Sequence, residues 1–412
     1  MTLELRLAWR NIGRNLRRTG LTVAATVFAV FLVILSVTLQ HGVHEKMVED
    51  AVRVLSGHVQ VSGEDYLDQR TLEQYVEVGP ELLERLEATR GVVGVAPRVV
   101  GFGLVSKGSS TNGVAVFGVD PEREGRVSTL PTRMVEGEFL APGGQGGILL
   151  GGRLANNLGA RLGDELLLYS VAYSLETAYE LYTVQGILRL PEPALDRTLV
   201  LLSLQDAQTF FAYGNKVSEV ALLADHAGEV GPILAELAGG VRGSDGAALA
   251  VHSWNEVMPE LEQFIFLDDA GAYIILFILV VVVAFGILNT ILMSVLERVR
   301  ELGVMLALGL KPGSIFRVVY LESMMLAGLG LLIGLVLAIP TALHLEQNPI
   351  PMGEEMAGVA ELVAMDPVVT FVLHPSTPIG AALVILFVAA LAALYPAIKA
   401  SRSRPVDALR SL

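Results

Sequence analysis

The sequence contains no cysteine, which excludes disulfide frameworks, Cys-ligated zinc, iron–sulfur clusters, thiol nucleophiles and a lipid-modified cysteine. The same absence leaves the redox compartment open. Charge is scarce: 17% of the 412 residues are Asp, Glu, Lys or Arg, against about 25% in an ordinary soluble chain. With 52% hydrophobic residues and a mean hydropathy of +0.56, this excludes a soluble or disordered protein. No Gly-Lys pair occurs, so a Walker A loop, and ATP binding by that device, is excluded too. The net charge of −14 is concentrated, because residues 43–268 hold 16 basic and 32 acidic side chains. A chain with no basic excess is a poor partner for nucleic acid.

Four long uncharged runs are present. Leu21 to Leu39 has no ionisable side chain over 19 residues, which at 1.5 Å per residue reaches roughly the 30 Å of a bilayer core. It follows Arg6, Arg10, Arg14, Arg17 and Arg18, as a secretory signal would. The run is longer than the h-region of such a signal and no A-x-A-like site follows, so it reads as an uncleaved anchor. Ala270 to Leu296 is uncharged for 27 residues, longer than a bilayer requires, and suggests a helix that continues past the outer face. Ser323 to Leu345 and Ser376 to Ile398 supply two further spans. Basic residues flank them on one side only: five Arg before the first, Arg298, Arg300, Lys311 and Arg317 between the second and third, and Lys399, Arg402, Arg404 and Arg410 after the fourth. Both termini are therefore expected in the cytoplasm of a multi-pass plasma-membrane protein.

The expected fold is an α-helical membrane protein with four transmembrane helices and a large mixed α+β extracytoplasmic domain between helices 1 and 2. Its boundaries read as a cytoplasmic N-terminal helix over 1–20, transmembrane helix 1 over 21–42, the outer domain over 43–268, helix 2 over 269–296, a cytoplasmic loop over 297–317, helix 3 over 318–345, a short outer loop over 346–375, helix 4 over 376–398 and a cytoplasmic tail over 399–412. Within the outer domain the Gly-rich stretch at about 112–185 reads as an inserted subdomain.

Chemistry is sparse. No ionisable group lies mid-span, which disfavours ion coupling through the membrane helices; Asn289 and Glu322 come nearest. Gly330 and Gly334 have the G-x-x-x-G spacing that lets helix backbones approach, and mark a packing face. His41 and His44 could form half a metal site, but no third ligand follows in sequence. The Gly-rich run at 143–152 resembles a phosphate cradle only superficially, since no Lys, Ser or Thr completes it. No nucleophile, base and orienter set emerges, so the chain is read as non-catalytic, with no cofactor of its own.

The loop after the second span is the most informative segment. Glu297, Arg298, Arg300 and Glu301 place alternating charges at helical spacing, Gly303, Ala307 and Gly309 offer a close-packing face, and Lys311-Pro312-Gly313 ends the element. The series Leu296-Glu297-Arg298-Val299-Arg300-Glu301-Leu302-Gly303 through Ala307 and Gly309 resembles the E-R-x-R-E-x-G-x-x-x-A-x-G signature of the FtsX-like, MacB-like ABC transporter permeases. Ala8-Trp9-Arg10-Asn11 with Arg14, Asn15, Leu16 and Arg18, the stretch Ile148 to Asp164, and the tail Tyr395-Pro396-Ala397 with Ala400, Pro405, Ala408, Leu409 and Arg410 agree with it. The resemblance implies that Glu297, Arg298, Arg300, Glu301, Gly303, Ala307 and Gly309 form a coupling helix for a separate cytoplasmic ATPase dimer, which holds the ATP and Mg. It also implies a second permease copy or paralogue, and movement carried to the outer domain without substrate crossing the bilayer.

With about twenty residues ahead of the first span, no fused ATPase is expected, and the roughly 226-residue outer domain exceeds that of the FtsX type. The chain looks most like the lipoprotein-releasing members LolC and LolE, whose substrate is a membrane lipoprotein passed to a periplasmic carrier. Acyl chains would then meet Val30, Phe31, Ile34, Phe277 and Val281, which are matched in depth on the first two spans. A stand-alone MacB-like efflux or peptide-resistance permease and an FtsX-like subunit that activates a cell-wall hydrolase remain open alternatives.

Overall fold

The computed structural model describes residues 6, 8, 10, 16–190, 192–351 and 368–402. The motif residues Trp9, Asn11, Arg14 and Asn15 and the tail residues Arg404, Pro405, Ala408, Leu409 and Arg410 lie outside them. The described residues divide into two units: those up to residue 44 with 265–351 and 368–402 in one, and those of 45–264 in the other.

The first unit contains helices long and apolar enough to span a membrane. The helix Leu16–Ala51 continues into a π-helical turn, Val52–Ser56, and is followed by Pro259–Glu297, Pro312–Gln347 and Ser376–Ser401. Each is longer than the charge-free run that marks it, because that run registers only the part that must avoid charge, whereas a helix continues until a cap or a proline stops it. The first helix runs beyond the expected span end at residue 42, and the second starts at Pro259, ten residues before the expected span start at 269.

Small residues set the packing. Ala381, Ile385, Ala389, Ala393 and Ala397 are all buried at every fourth position of the last helix, one continuous ridge. Gly330, Gly334, Ala338 and Ala342 form a similar buried ridge on the third, with both glycines against the first helix. A Cβ at Gly330 would stand 2.6 Å from Thr26 Cβ, and one at Gly334 would stand 2.7 Å from Val30 Cβ. Nothing larger than hydrogen fits without displacing the first helix. The second helix is mostly exposed within the chain and buries only Ile287, Ile291 and Val295.

The second unit is built on one eleven-stranded sheet. In chain order the strands are β1 (Val59–Gly63), β2 (Val76–Glu77), β3 (Val92–Lys107), β4 (Ser110–Val119), β5 (Met134–Gly137), β6 (Gly147–Gly151), β7 (Glu165–Val171), β8 (Thr177–Leu188), β9 (Leu199–Ser203), β10 (Lys216–Val217), β11 (Glu219–Ala224), β12 (Val241–Arg242) and β13 (Ala248–Ser253). The spatial order is β12-β13-β1-β11-β3-β4-β9-β6-β8-β5, with β7 joining β3 and β8; β2 and β10 pair separately. Most contacts are antiparallel, but β4 runs parallel to β9 and β6 to β8, pairs that are separated in the chain by other strands of the same sheet.

The stretch 112–185 is not a separate inserted subdomain. Its strands β4, β6, β7 and β8 belong to the same sheet as β1, β3 and β11, because the 16-residue β3 pairs with β11 near its start and with β7 near its end. One apolar cluster, including Val61, Val99, Val116, Leu150, Leu166 and Val220, continues across the whole sheet. The Gly-rich run makes turns instead of a linker: Gly143, Gly144 and Gly146 all have positive φ just before β6.

Candidate functional site

The segment after the second long helix folds as a separate helix, Val299–Ala307, ahead of the helix that starts at Pro312. Arg298 breaks the chain direction with φ −109. At the other end Gly309 has φ +95, its N–H donates to the carbonyl of Leu306, and the N–H of Leu310 donates to that of Met305. This is the Schellman termination, which needs a left-handed residue at that one position and so selects glycine. Leu302, Met305, Leu306 and Leu310 pack with Ile315, Val319 and Ala397, fixing the short helix to the third and fourth long helices.

The charges separate into two groups. Glu297 and Arg300 are exposed, and Ala307 and Gly309 are exposed beside Leu308. Arg298 turns inward: its Nη1 donates to Glu322 Oε2 at 3.0 Å and Oε1 at 3.2 Å, and its Nε donates to Glu301 Oε2 at 3.3 Å. Glu322 is 7% exposed and Arg298 15%. Arg298, expected in the ATPase-coupling set, links the short helix to the third long helix through its guanidinium, and Gly303 of the same set is buried. Glu301 is shared between this pair and the surface, with 39% of its side chain exposed.

Of the five positions expected to meet acyl chains, two are enclosed within the chain. Val30 and Ile34 are fully buried against Leu331, Ala338 and Ile385, so they pack helices and offer no free surface. Phe31 lies half-buried on a shallow apolar groove with Val27, Phe28, Ile333 and Leu337. Phe277 is exposed and Val281 partly so. Depth matching identified residues at one level of the membrane but not the side of the helix they occupy.

The two histidines make other contacts. His44 Nε2 lies 2.8 Å from Asp268 and its Nδ1 3.4 Å from Asp269, while the His41 and His374 rings meet in a tilted contact at 4.6 Å between centroids. Among the described residues no group of three His, Asp or Glu is arranged to hold a metal. The N–H groups that begin the helix at Gly152 are taken by a buried carboxylate, with Asp196 accepting from Gly152, Arg153 and Leu190. An internal anion thus fills the position that a phosphate cradle would keep open.

Sequence reasoning missed one charged cluster in the outer unit. Arg98 on β3 is fully buried; its Nε and Nη2 donate to Glu124 at 3.1 and 2.6 Å, and Nη1 lies 3.9 Å from Glu219. Glu219 stands directly across from Arg98 in the β11–β3 register. Burial pushes its carboxyl up to about 7, against the attraction of Arg98 and Arg70. A lone arginine in the apolar run Val92 to Val105 was the available signal.

The family model for the MacB-like periplasmic core domain matches residues 19–239, more than half the chain, and that for the FtsX-like permease C-terminal region matches residues 273–405. This chain belongs to the FtsX-like, MacB-like family of ABC transporter permeases. It is 24% identical over 340 residues to the lipoprotein-releasing system transmembrane protein LolC of Neisseria meningitidis and 28% identical over 343 residues to LolE of Haemophilus influenzae, covering 80% of each chain in both cases. It is 31% identical over 131 residues to the macrolide export ATP-binding/permease protein MacB of Neisseria gonorrhoeae, which covers 31% of this chain and 17% of that one. The family permease is a multi-pass inner-membrane subunit that works with a cytoplasmic ATPase and a partner permease, and the sheet unit is its periplasmic core domain.

Proposed function

We propose that this chain extracts lipoproteins from the inner membrane and passes them to a periplasmic carrier, driven by ATP hydrolysis on a separate subunit. The observation that carries this reading is the extent of the similarity to LolC and LolE, which covers four fifths of both chains. Both termini and the Val299–Ala307 helix face the cytoplasm in this reading. Glu297, Arg300 and Glu301 then meet the ATPase, and the Arg298–Glu322 link passes its displacement into the third long helix as a rigid-body movement. Gly330 and Gly334 keep the third helix against the first, so both move together. Phe31, Phe277 and Val281 keep accessible apolar surface on the first two long helices for acyl chains. The working assembly pairs this chain with a second copy or a paralogue.

Depletion in the native cell, with palmitate labelling and separation of inner from outer membrane, tests the proposal. Labelled lipoproteins should accumulate in the inner membrane. Unchanged sorting would refute lipoprotein release and favour the efflux activity that the similarity to MacB suggests.

A further inference from the structure

The sheet face that carries Arg98 also forms the floor of a cavity of about 600 Å3 within the periplasmic unit, within the usual range for small-molecule sites. Register explains its two-sided character. Side chains alternate along a strand, so Arg98, Val100 and Phe102 of β3 share one face with Phe117 and Ala115 of β4, their cross-strand partners. On the same face Glu219 of β11 opposes Arg98, and Gln60 of β1 lies two residues along from Ser62, the partner of Glu219. The floor is apolar over β3 and β4 and polar over β1 and β11. Leu55, from the π-helical turn, with Leu195 and Met258 adds apolar wall.

The polar half is not satisfied from within the protein. Gln60 is 4% exposed, and its Oε1 accepts no hydrogen bond. Two carboxylates, Glu124 and Glu219, face the single buried guanidinium of Arg98, which already gives Glu124 two bonds. The remaining groups around Glu219 are Tyr66, Ser62 and the exposed Arg70, whose Nη2 donates to the Val257 carbonyl at 3.4 Å; Asp50, Arg133 and Glu192 line other parts of the cavity. Arg98 Nη1, 3.9 Å from Glu219, makes no hydrogen bond either, but around the cavity Glu124, Glu219, Asp50 and Glu192 outnumber Arg98, Arg70 and Arg133 by one, and with the unfilled Gln60 acceptor this calls for a donor with positive charge.

We propose that this cavity binds an amphipathic amine, with its apolar body on Val100, Ala115 and Phe117 and its ammonium between Gln60 Oε1 and the Glu219 carboxylate. An ammonium brings three donors and one charge, meeting both deficits at once. An anionic amphiphile would deepen the carboxylate excess around the cavity and leave Gln60 Oε1 without a donor. With the Glu219 carboxyl raised to about 7, the site exchanges a proton for the cation near neutral pH. None of this depends on which substrate the permease moves.

The test is photo-crosslinking of the full-length protein in lipid nanodiscs with a diazirine-bearing dodecylamine and the matching dodecanoate, followed by peptide mapping. The amine should label peptides containing Leu55, Phe117 or Met258, and the dodecanoate about tenfold less. Amine labelling at sub-saturating probe should rise about tenfold from pH 6 to pH 8, because the ionised fraction of Glu219 climbs from about a tenth to about nine tenths while the alkylamine stays protonated. Glu219→Gln should remove this pH dependence while Glu124 still holds Arg98. Ala115→Trp, which fills the cavity from the floor, should abolish the labelling. Equal labelling by amine and dodecanoate, labelling confined to the membrane helices, or indifference to Ala115→Trp would overturn the proposal.

Discussion

Removing Arg298 should destabilise the membrane unit by taking away the guanidinium that gives a buried carboxylate two of its hydrogen bonds. Glu322 is 7% exposed and receives two N–H donors from one guanidinium nitrogen at 3.0 and 3.2 Å. Breaking a buried pair from one side costs about 3–5 kcal/mol, and the 15% exposure of Arg298 puts this case near about 3 kcal/mol. Arg298→Ala and Glu322→Ala should each show that loss. The double change Arg298→Met with Glu322→Leu, which removes both charges and keeps apolar volume, should stay within about 1 kcal/mol of the parent. The two single losses together would then exceed that of the double change by about 5 kcal/mol, the non-additivity expected of groups in contact. Unfolding in mixed micelles by titration with dodecyl sulfate, followed by far-ultraviolet circular dichroism, gives the three values. If Arg298→Ala is indistinguishable from the parent, or the double change loses as much as the two single losses together, the link does not pin the short helix and the reasoning fails.

Glu297→Ala with Arg300→Ala should reduce copurification of the ATPase while leaving unfolding unchanged, since both side chains are exposed; retained copurification would remove them from the docking surface. Gly334→Leu should destabilise by about 1–3 kcal/mol through overpacking against Val30, and Gly328→Leu, where a Cβ meets nothing within 4 Å, should be close to neutral. Glu219 has a carboxyl raised from 4.5 to about 7, so the folded state holds its proton more tightly than the unfolded chain. Its contribution is therefore full below about pH 4.5 and falls by about 3 kcal/mol as pH rises through 7. Glu219→Gln should raise stability at pH 8 and change little at pH 5, measured by thermal unfolding; a gain at pH 5 alone would reverse the sign. Cysteines at Ser110 and Ser314 should react with a membrane-impermeant maleimide from outside only at Ser110, and outside labelling at Ser314 would invert the proposed topology.

How much was legible in the sequence depended on whether a feature was local. Charge-free runs and one-sided arginines are properties of contiguous residues, and they place spans in a chain because the bilayer core penalises charge wherever it occurs. The G-x-x-x-G spacing was readable for the same reason, since i and i+4 share a helix face. The signature from Glu297 to Gly309 was visible as a motif, but its internal division was not. Nothing local distinguishes Arg298 from Arg300; the difference is Glu322, 24 residues further along on another helix.

The single outer sheet shows the same limit on a larger scale. Strand candidates follow from β-branched alternation, but their association does not, because β3 reaches β7 and β11 only through long-range pairing that no local pattern encodes. The Gly-rich stretch therefore read as an insertion although its glycines only make turns. Val30 and Ile34 were chosen by position along the helix, but which side they occupy, here packed inside the chain, is set by neighbouring helices. Composition, charge and the loop motif by themselves determined a four-span ABC permease with a large outer domain. Only the tertiary structure decided which charges are buried together, at Arg298 with Glu322 and at Arg98 with Glu124 and Glu219, because desolvation and pairing depend on distances between elements that are remote in the chain.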